Sequence, residues 1–481
     1  MTKENKLDWN PVKKEAPGWF RDAKFGLFFH WGPYSVPAFQ NEWYSRNMYA
    51  KGLQQNLYHE KKYGNLHDFG YKNFYNGMTG SRFDPDEWAD LVVQAGARYA
   101  GPVTEHSDNF SMWNSKTNPI NCVNYGPHRD VTGECASAFR KRGIRVLSTF
   151  HHQWLWGWFM STDPEADVYI PGNERYYGPA LPLETNRYHP YRLPDSAFCK
   201  TWGDKVCEVI DLYHPDVLYF DSRTYIIEES SRLKIARHFY KESGCSGGII
   251  TYKQEDFPQG VGVFDMECGH AAVPKPFCWQ SDDRLEDNIT WCMVQNPKYK
   301  SAGRIIQQLC DTVSKNGNLL LNVGPYADGS FHPEAVKILH QVGNWLFENG
   351  EAIYGTRPWR IAAEGPSSAA DTDYDVEKIQ KQLRTGNASD LNSGLLGSHD
   401  FRFTSKSDTL YAIAMGLPEN GVWEIHSLGK NCASEIISGV TLLKGTVPLP
   451  FKQTDCALVI RVPITFTSKD AAFAIKITVQ N

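Results

Sequence analysis

The sequence predicts an α/β fold: a (β/α)₈ TIM-like barrel over residues 1–359, a linker or long loop over 360–399, and a C-terminal antiparallel β-sandwich over 400–481. Three observations carry this. Short apolar runs alternate with amphipathic segments from about residue 20 to 350, the hydrophobic period drops to two after residue 400, and nearly every run in the first part leads into a polar or titratable residue.

The apolar runs lie at 25–29, 99–103, 144–150, 217–220, 248–252, 261–266 and 319–323, each bounded by polar, Gly or Pro positions as buried parallel strands are. Between them, the segment 84–96 places Trp88, Leu91, Val92 and Ala95 on one helical stripe, with Asp84-Pro85 as N-cap and first residue. The segment 301–317 repeats the stripe with Ile305, Ile306, Leu309 and Val313 and stops at Gly317, and 334–350 reads as a third helix. Repeated β-then-α over this length suits an eight-stranded barrel. A doubly wound open sheet is disfavoured because no glycine-rich fingerprint follows any run. Residues 364–399 are rich in Gly, Ser, Asp and Asn, with one short helical piece expected at 376–383. Beyond them, Phe401/Phe403, Trp423/Ile425, Leu458/Ile460/Val462 and Phe473/Ile475/Ile477/Val479 alternate as half-buried antiparallel strands do.

Composition excludes several function classes. A net charge of -5 gives no electrostatic case for nucleic acid or an anionic membrane. No apolar run is long enough to span a bilayer, and the polar stretch 1–20 has no signal-peptide core, so a cytoplasmic location is expected. Eleven cysteines without a CxxC pair argue against a disulfide framework or structural zinc; most are expected to be small buried hydrophobes. The 15 Trp, 24 Tyr and 25 Phe are either packing material or platforms for sugar rings.

The polar residues that close the runs point to chemistry. They are His30, then Glu105 and His106, His151, Asp221, Lys253 and Glu267. In a barrel these strand ends converge on one face, where such folds build their active sites. Asp221 and Glu267 sit on strands separated by a single strand, an arrangement suited to a retaining glycosidase: Asp221 the nucleophile, Glu267 the acid/base on a more apolar strand. His30, His106 and His151 suit sugar hydroxyls, and Trp31, Trp43, Trp113 and Trp279 supply rings for a sugar face.

The same residues carry a resemblance. The segments at 23–49 (with HWG and EWY), 83–110, 126–134, 217–221 (VLYFD), 257–269 (FDMECG), 316–329, 350–359 and 408–421 resemble, in order, the α-L-fucosidases of glycoside hydrolase family 29. The resemblance implies a retaining exo-α-L-fucosidase that works through a covalent glycosyl-enzyme, without cofactor or metal, on an oligosaccharide or glycoconjugate. It leaves homo-oligomerisation open. It places His30, Trp31, Glu42 and Trp43 at the sugar pocket and Asp221 as nucleophile. The acid/base position varies in the family; Glu267 is the first candidate, with Glu255, Asp265 and Glu286 as rivals. Three departures are visible. Ser107 stands where the family has a second histidine, Ser222-Arg223 follows the nucleophile in place of Gly or Trp, and Cys268 replaces an Arg. Arg223 is then either a cation beside the nucleophile or a solvent-directed side chain. The departures keep two other readings open: the same chemistry on a related sugar such as an α-L-galactoside, and a non-catalytic carbohydrate-binding relative.

Overall fold

The computed structural model describes residues 7–179, 181, 193–242, 244–245, 247–367, 396–463, 468 and 470–480. Eight parallel strands close into a barrel: β1 (Phe25–Phe29), β2 (Tyr99–Glu105), β3 (Arg145–Phe150), β4 (Val217–Phe220), β5 (Ile249–Tyr252), β6 (Val263–Asp265), β7 (Trp279–Arg284) and β8 (Gly317–Asn322). Closure is made by β8 against β1, in the register Leu27 opposite Leu321. Glycine is required where strands crowd: a Cβ on Gly101 of β2 would lie 1.8 Å from the Leu147 carbonyl oxygen of β3.

The helices read from periodicity are present as Pro85–Gln94, Ala302–Ser314 and Pro333–Asn349. The first two are capped as their sequences imply, by the Asp84 carboxylate and the Ser301 hydroxyl. Strand β7 has no apolar run to mark it. Its residues WQSDDR are nonetheless all buried, because their polar groups find partners: inside the barrel Gln280 donates to Asp265 at 2.6 Å and Asp282 accepts from Tyr219 at 3.0 Å, and on the outer face Asp283 pairs with Lys300 at 2.7 Å.

The C-terminal unit has two antiparallel sheets. The larger has the order β14-β13-β17-β11-β10-β9, from β9 (Arg357–Glu364), β10 (Phe401–Lys406), β11 (Thr409–Ala414), β13 (Ile437–Leu442), β14 (Val447–Pro448) and β17 (Phe473–Val479). The smaller orders β12 (Val422–Ile425), β16 (Leu458–Arg461) and β15 (Phe451–Gln453). Residues 360–364, expected to open the linker, instead complete β9, which pairs with β10. Their alternation is weak because only one residue of β9 is buried. The helical piece expected at 376–383 lies outside the described residues. None of the eleven cysteines is in a disulfide, and six are buried. Among the described residues no helix is long and apolar enough to cross a membrane.

The large sheet docks on the barrel. The Arg402 guanidinium pairs with Asp311 of the helix Ala302–Ser314 at 2.5 Å, and the indole N–H of Trp345 donates to the Ala472 carbonyl at 2.8 Å. Tyr411, Ile413 and Ala474 join the same apolar cluster as the helices outside the barrel.

Candidate active site

The C-terminal ends of the strands bring together most of the residues singled out in the sequence. His30, His106 and His151 follow β1, β2 and β3, with ring centroids 4.9 to 5.6 Å apart. All three are buried. Burial pulls the His30 pKa down to about 4 and holds His106 and His151 well below the usual range, so the cluster is neutral at neutral pH. The tautomer of His30 is fixed by its partner. Asn322, last residue of β8, donates its amide N–H to the Trp291 carbonyl at 2.5 Å, and its oxygen lies 2.7 Å from His30 Nδ1. That nitrogen must donate, leaving Nε2 with a lone pair for an incoming hydroxyl.

Lys253, at the end of β5, organises the carboxylates. Its Nζ lies 3.0 Å from Asp221 Oδ1, 2.8 Å from Glu267 Oε2 and 3.0 Å from Asp282 Oδ2. Burial works against the ammonium, but the surrounding carboxylates outweigh it and push its pKa well above the ordinary value. Because both oxygens touch one nitrogen, Asp221 Oδ1 and Glu267 Oε2 are at most roughly 6 Å apart, so the two carboxyl groups form a close pair. Burial raises the Glu267 pKa, helped by Asp282 and Asp221 and opposed by Lys253. The second oxygen of Asp221 accepts the Trp154 indole N–H at 3.1 Å. The side chains of Asp221 and Glu267 remain 16% and 25% exposed, whereas Asp282 is 2% exposed; the first two are the carboxylates a ligand can reach.

Glu42 is buried and accepts the Trp291 backbone N–H at 2.9 Å, with its pKa raised by burial to about 7. Trp43 packs its ring against Trp154 and Trp158 at 5.5 and 4.8 Å. Ser107 is buried, its hydroxyl directed to the His151 carbonyl at 3.4 Å. From β7, Arg284 donates to the Cys268 thiol at 3.0 Å, bringing a guanidinium to the position where the family motif carries its Arg.

Three tryptophans expected at the sugar face are elsewhere. Trp279 opens β7 at the opposite end of the barrel, donates to the Lys315 carbonyl at 2.8 Å and fills the space beside Gly317. Trp31 follows inward-facing His30, so alternation turns its ring outward, against Phe83 and Trp88 at 5.1 and 5.4 Å. Trp113 is buried in a separate apolar cluster, its N–H bonded to Glu208 at 3.1 Å. The rivals of Glu267 are also dispersed. Glu255 is exposed, on the rim of an outer groove shared with Lys13 and Phe257. Asp265 is buried inside the barrel, its pKa driven well up by burial and by Asp282. Glu286 is buried against the Gly324 N–H, with its pKa raised to about 8.

Sequence reasoning missed Asp282, Arg284, Trp154, Trp291 and Asn322. Asn322 carried a signal, as the one polar residue inside the apolar run 319–323; Asp282 and Arg284 were hidden in the polar strand β7.

A closed parallel barrel with paired carboxylates, a buried cation between them and neutral imidazoles at its C-terminal mouth defines a glycoside-hydrolase class of protein. The family described as Alpha-L-fucosidase matches residues 1–351, and the chain belongs to that family. Tissue alpha-L-fucosidase from Bos taurus is 32% identical over 372 residues, covering 74% of this chain and 73% of the bovine one. The Homo sapiens tissue alpha-L-fucosidase is 29% identical over 435 residues, covering 87% of this chain and 80% of its own. The crystal structure of Thermotoga maritima alpha-fucosidase in complex with fucose superposes with a TM-score of 0.74 at 26% identity, covering 98% of this chain and 99% of that one.

Proposed function

We propose that this protein removes terminal α-L-fucosyl residues from oligosaccharides or glycoconjugates by double displacement with retention. The observation that carries the reading is the shared contact of Asp221 and Glu267 with Lys253, which draws the two carboxyl groups into the kind of close pair a covalent route uses. Asp221, held on both oxygens by Lys253 and Trp154, attacks the anomeric carbon from the face opposite the leaving group. The C–O bond to the aglycon breaks as Glu267, whose raised pKa favours its proton, gives that proton to the departing oxygen. In the second step Glu267 takes a proton from water, which displaces Asp221. His30, His106 and His151, kept neutral by burial, exchange hydrogen bonds with the sugar hydroxyls together with Glu42, and the rings of Trp43 and Trp291 border the same pocket.

The test is the anomer released first. With an aryl α-L-fucoside followed by proton NMR, α-L-fucose should appear before mutarotation. Initial release of the β-anomer would sink the double displacement, and no release of fucose would sink the activity.

A further inference from the structure

We infer that Arg223 forms an oxyanion-binding subsite of the cleft beside the nucleophile, taking a carboxylate or sulfate group carried by the substrate. The inference rests on the fucoside-hydrolysing reading above. Arg223 sits two residues after Asp221 and is one of the departures from the family pattern. It does not point to solvent: the residue is only 3% exposed. Its guanidinium lies over the Trp154 ring, 4.6 Å from the centroid, and that same indole donates to Asp221 Oδ2 at 3.1 Å. The cation is thus one ring away from the nucleophile.

What it lacks is a partner. Its Nε and Nη1 are buried and donate to nothing, and among the described residues no carboxylate lies within ion-pair distance of it. A buried, unpaired charge is costly unless something else pairs with it. Burial lowers its pKa only to about 10, so it remains charged at neutral pH. The backbone at Arg223 is left-handed, at φ 78°, a strained conformation for a residue with a side chain and one that clusters at ligand-binding positions. With its Cζ over the Trp154 ring and its Nε and Nη1 without a partner, the guanidinium still has donors of the fork that matches a carboxylate or sulfate with two parallel hydrogen bonds. The nearby Asp221, Ser222 and Trp154 are half-buried and Tyr225 is 43% exposed, so the buried guanidinium lies close beneath the surface.

The test compares 4-nitrophenyl α-L-fucoside with its 3-carboxy-4-nitrophenyl counterpart on the wild type, Arg223→Gln and Arg223→Lys. Leaving-group ability is the same for all three proteins, so a change in the ratio of kcat/KM values isolates the guanidinium. The ratio of anionic to neutral substrate should fall about tenfold in Arg223→Gln, with Arg223→Lys in between. Sodium sulfate should also inhibit the wild type competitively, beyond sodium chloride of equal ionic strength. This arm needs no variant to fold. An unchanged substrate ratio together with sulfate inhibition would mean a site for free anions and overturn the substrate role; an unchanged ratio without sulfate inhibition overturns the subsite altogether. If neither fucoside is turned over, the hydrolytic reading fails instead, and calorimetric titration of sulfate into wild type and Arg223→Gln still decides whether the anion site exists.

Discussion

The Lys253 ammonium donates to Asp221 Oδ1 at 3.0 Å, and the same nitrogen reaches Glu267 and Asp282. Replacing Lys253 by Met leaves three carboxyl groups around an apolar chain. kcat/KM should fall on the order of 10²-fold, because two reacting groups lose their shared anchor. The pH profile separates this from loss of packing. Lys253 holds the Glu267 pKa down, so its removal moves that pKa, and the basic limb of kcat/KM against pH, upward. An unmoved basic limb would count against the contact to Glu267.

The two carboxylates are distinguished by the configuration of azide products. Asp221→Ala should lose activity by at least on the order of 10³-fold, and azide, occupying the nucleophile's place, should give β-L-fucosyl azide. Glu267→Ala still forms the glycosyl-enzyme from an activated aryl fucoside. Azide then attacks from the opposite face, and the product should be α-L-fucosyl azide. Exchange of these two outcomes would reverse the roles; absence of any azide product from Glu267→Ala would return attention to Glu286, which is also buried and raised in pKa.

Much of the site was legible because the barrel converts sequence position into geometry. A polar residue after an apolar run points to the mouth, and His30, His106, His151, Asp221, Lys253 and Glu267 were found that way. The rule fails where polar groups satisfy one another inside. Strand β7 buries Gln280 and Asp282 against Asp265 and Tyr219, so its sequence reads as a loop. It fails again for rings, since a Trp is equally good packing material. Trp31 and Trp279 went to the core, while Trp154, in a short 3-10 turn after β3, and Trp291, in an irregular segment after β7, border the nucleophile and His30. The C-terminal sheets showed in their period of two, but β9 did not, because it is mostly half-exposed.

His30 makes stability depend on pH. Its folded pKa is about 4 against an ordinary 6.5. Between these values the unfolded chain binds the proton and the folded one does not, so stability is present above 6.5 and is lost as pH falls towards 4. The window corresponds to about 3 kcal/mol for a fully buried imidazole. Glu42, raised to about 7, acts in the opposite sense, losing its contribution as pH rises from 4.5 to 7, so the wild-type curve is a sum. The difference between wild type and His30→Gln isolates the histidine. In urea titrations, wild type should lose about 2–3 kcal/mol relative to the variant between pH 7 and pH 4. A difference independent of pH would mean that the fold leaves the His30 pKa where it lies in the unfolded chain.

Trp154 serves Asp221 and Arg223 with different parts of one side chain: the indole N–H donates to the carboxylate, and the ring carries the guanidinium. Trp154→Phe keeps a ring and removes the donor. A hydrogen bond to a charged acceptor contributes about 1.5–3 kcal/mol, so kcat/KM on a neutral aryl fucoside should fall about 10- to 100-fold. Because a phenyl face still supports the cation, the preference of Arg223 for an anionic aglycon should change less than its rate partner. Equal loss on both counts would mean that Trp154 acts by shape alone, and a rate unchanged within twofold would show that Lys253 suffices to hold the nucleophile.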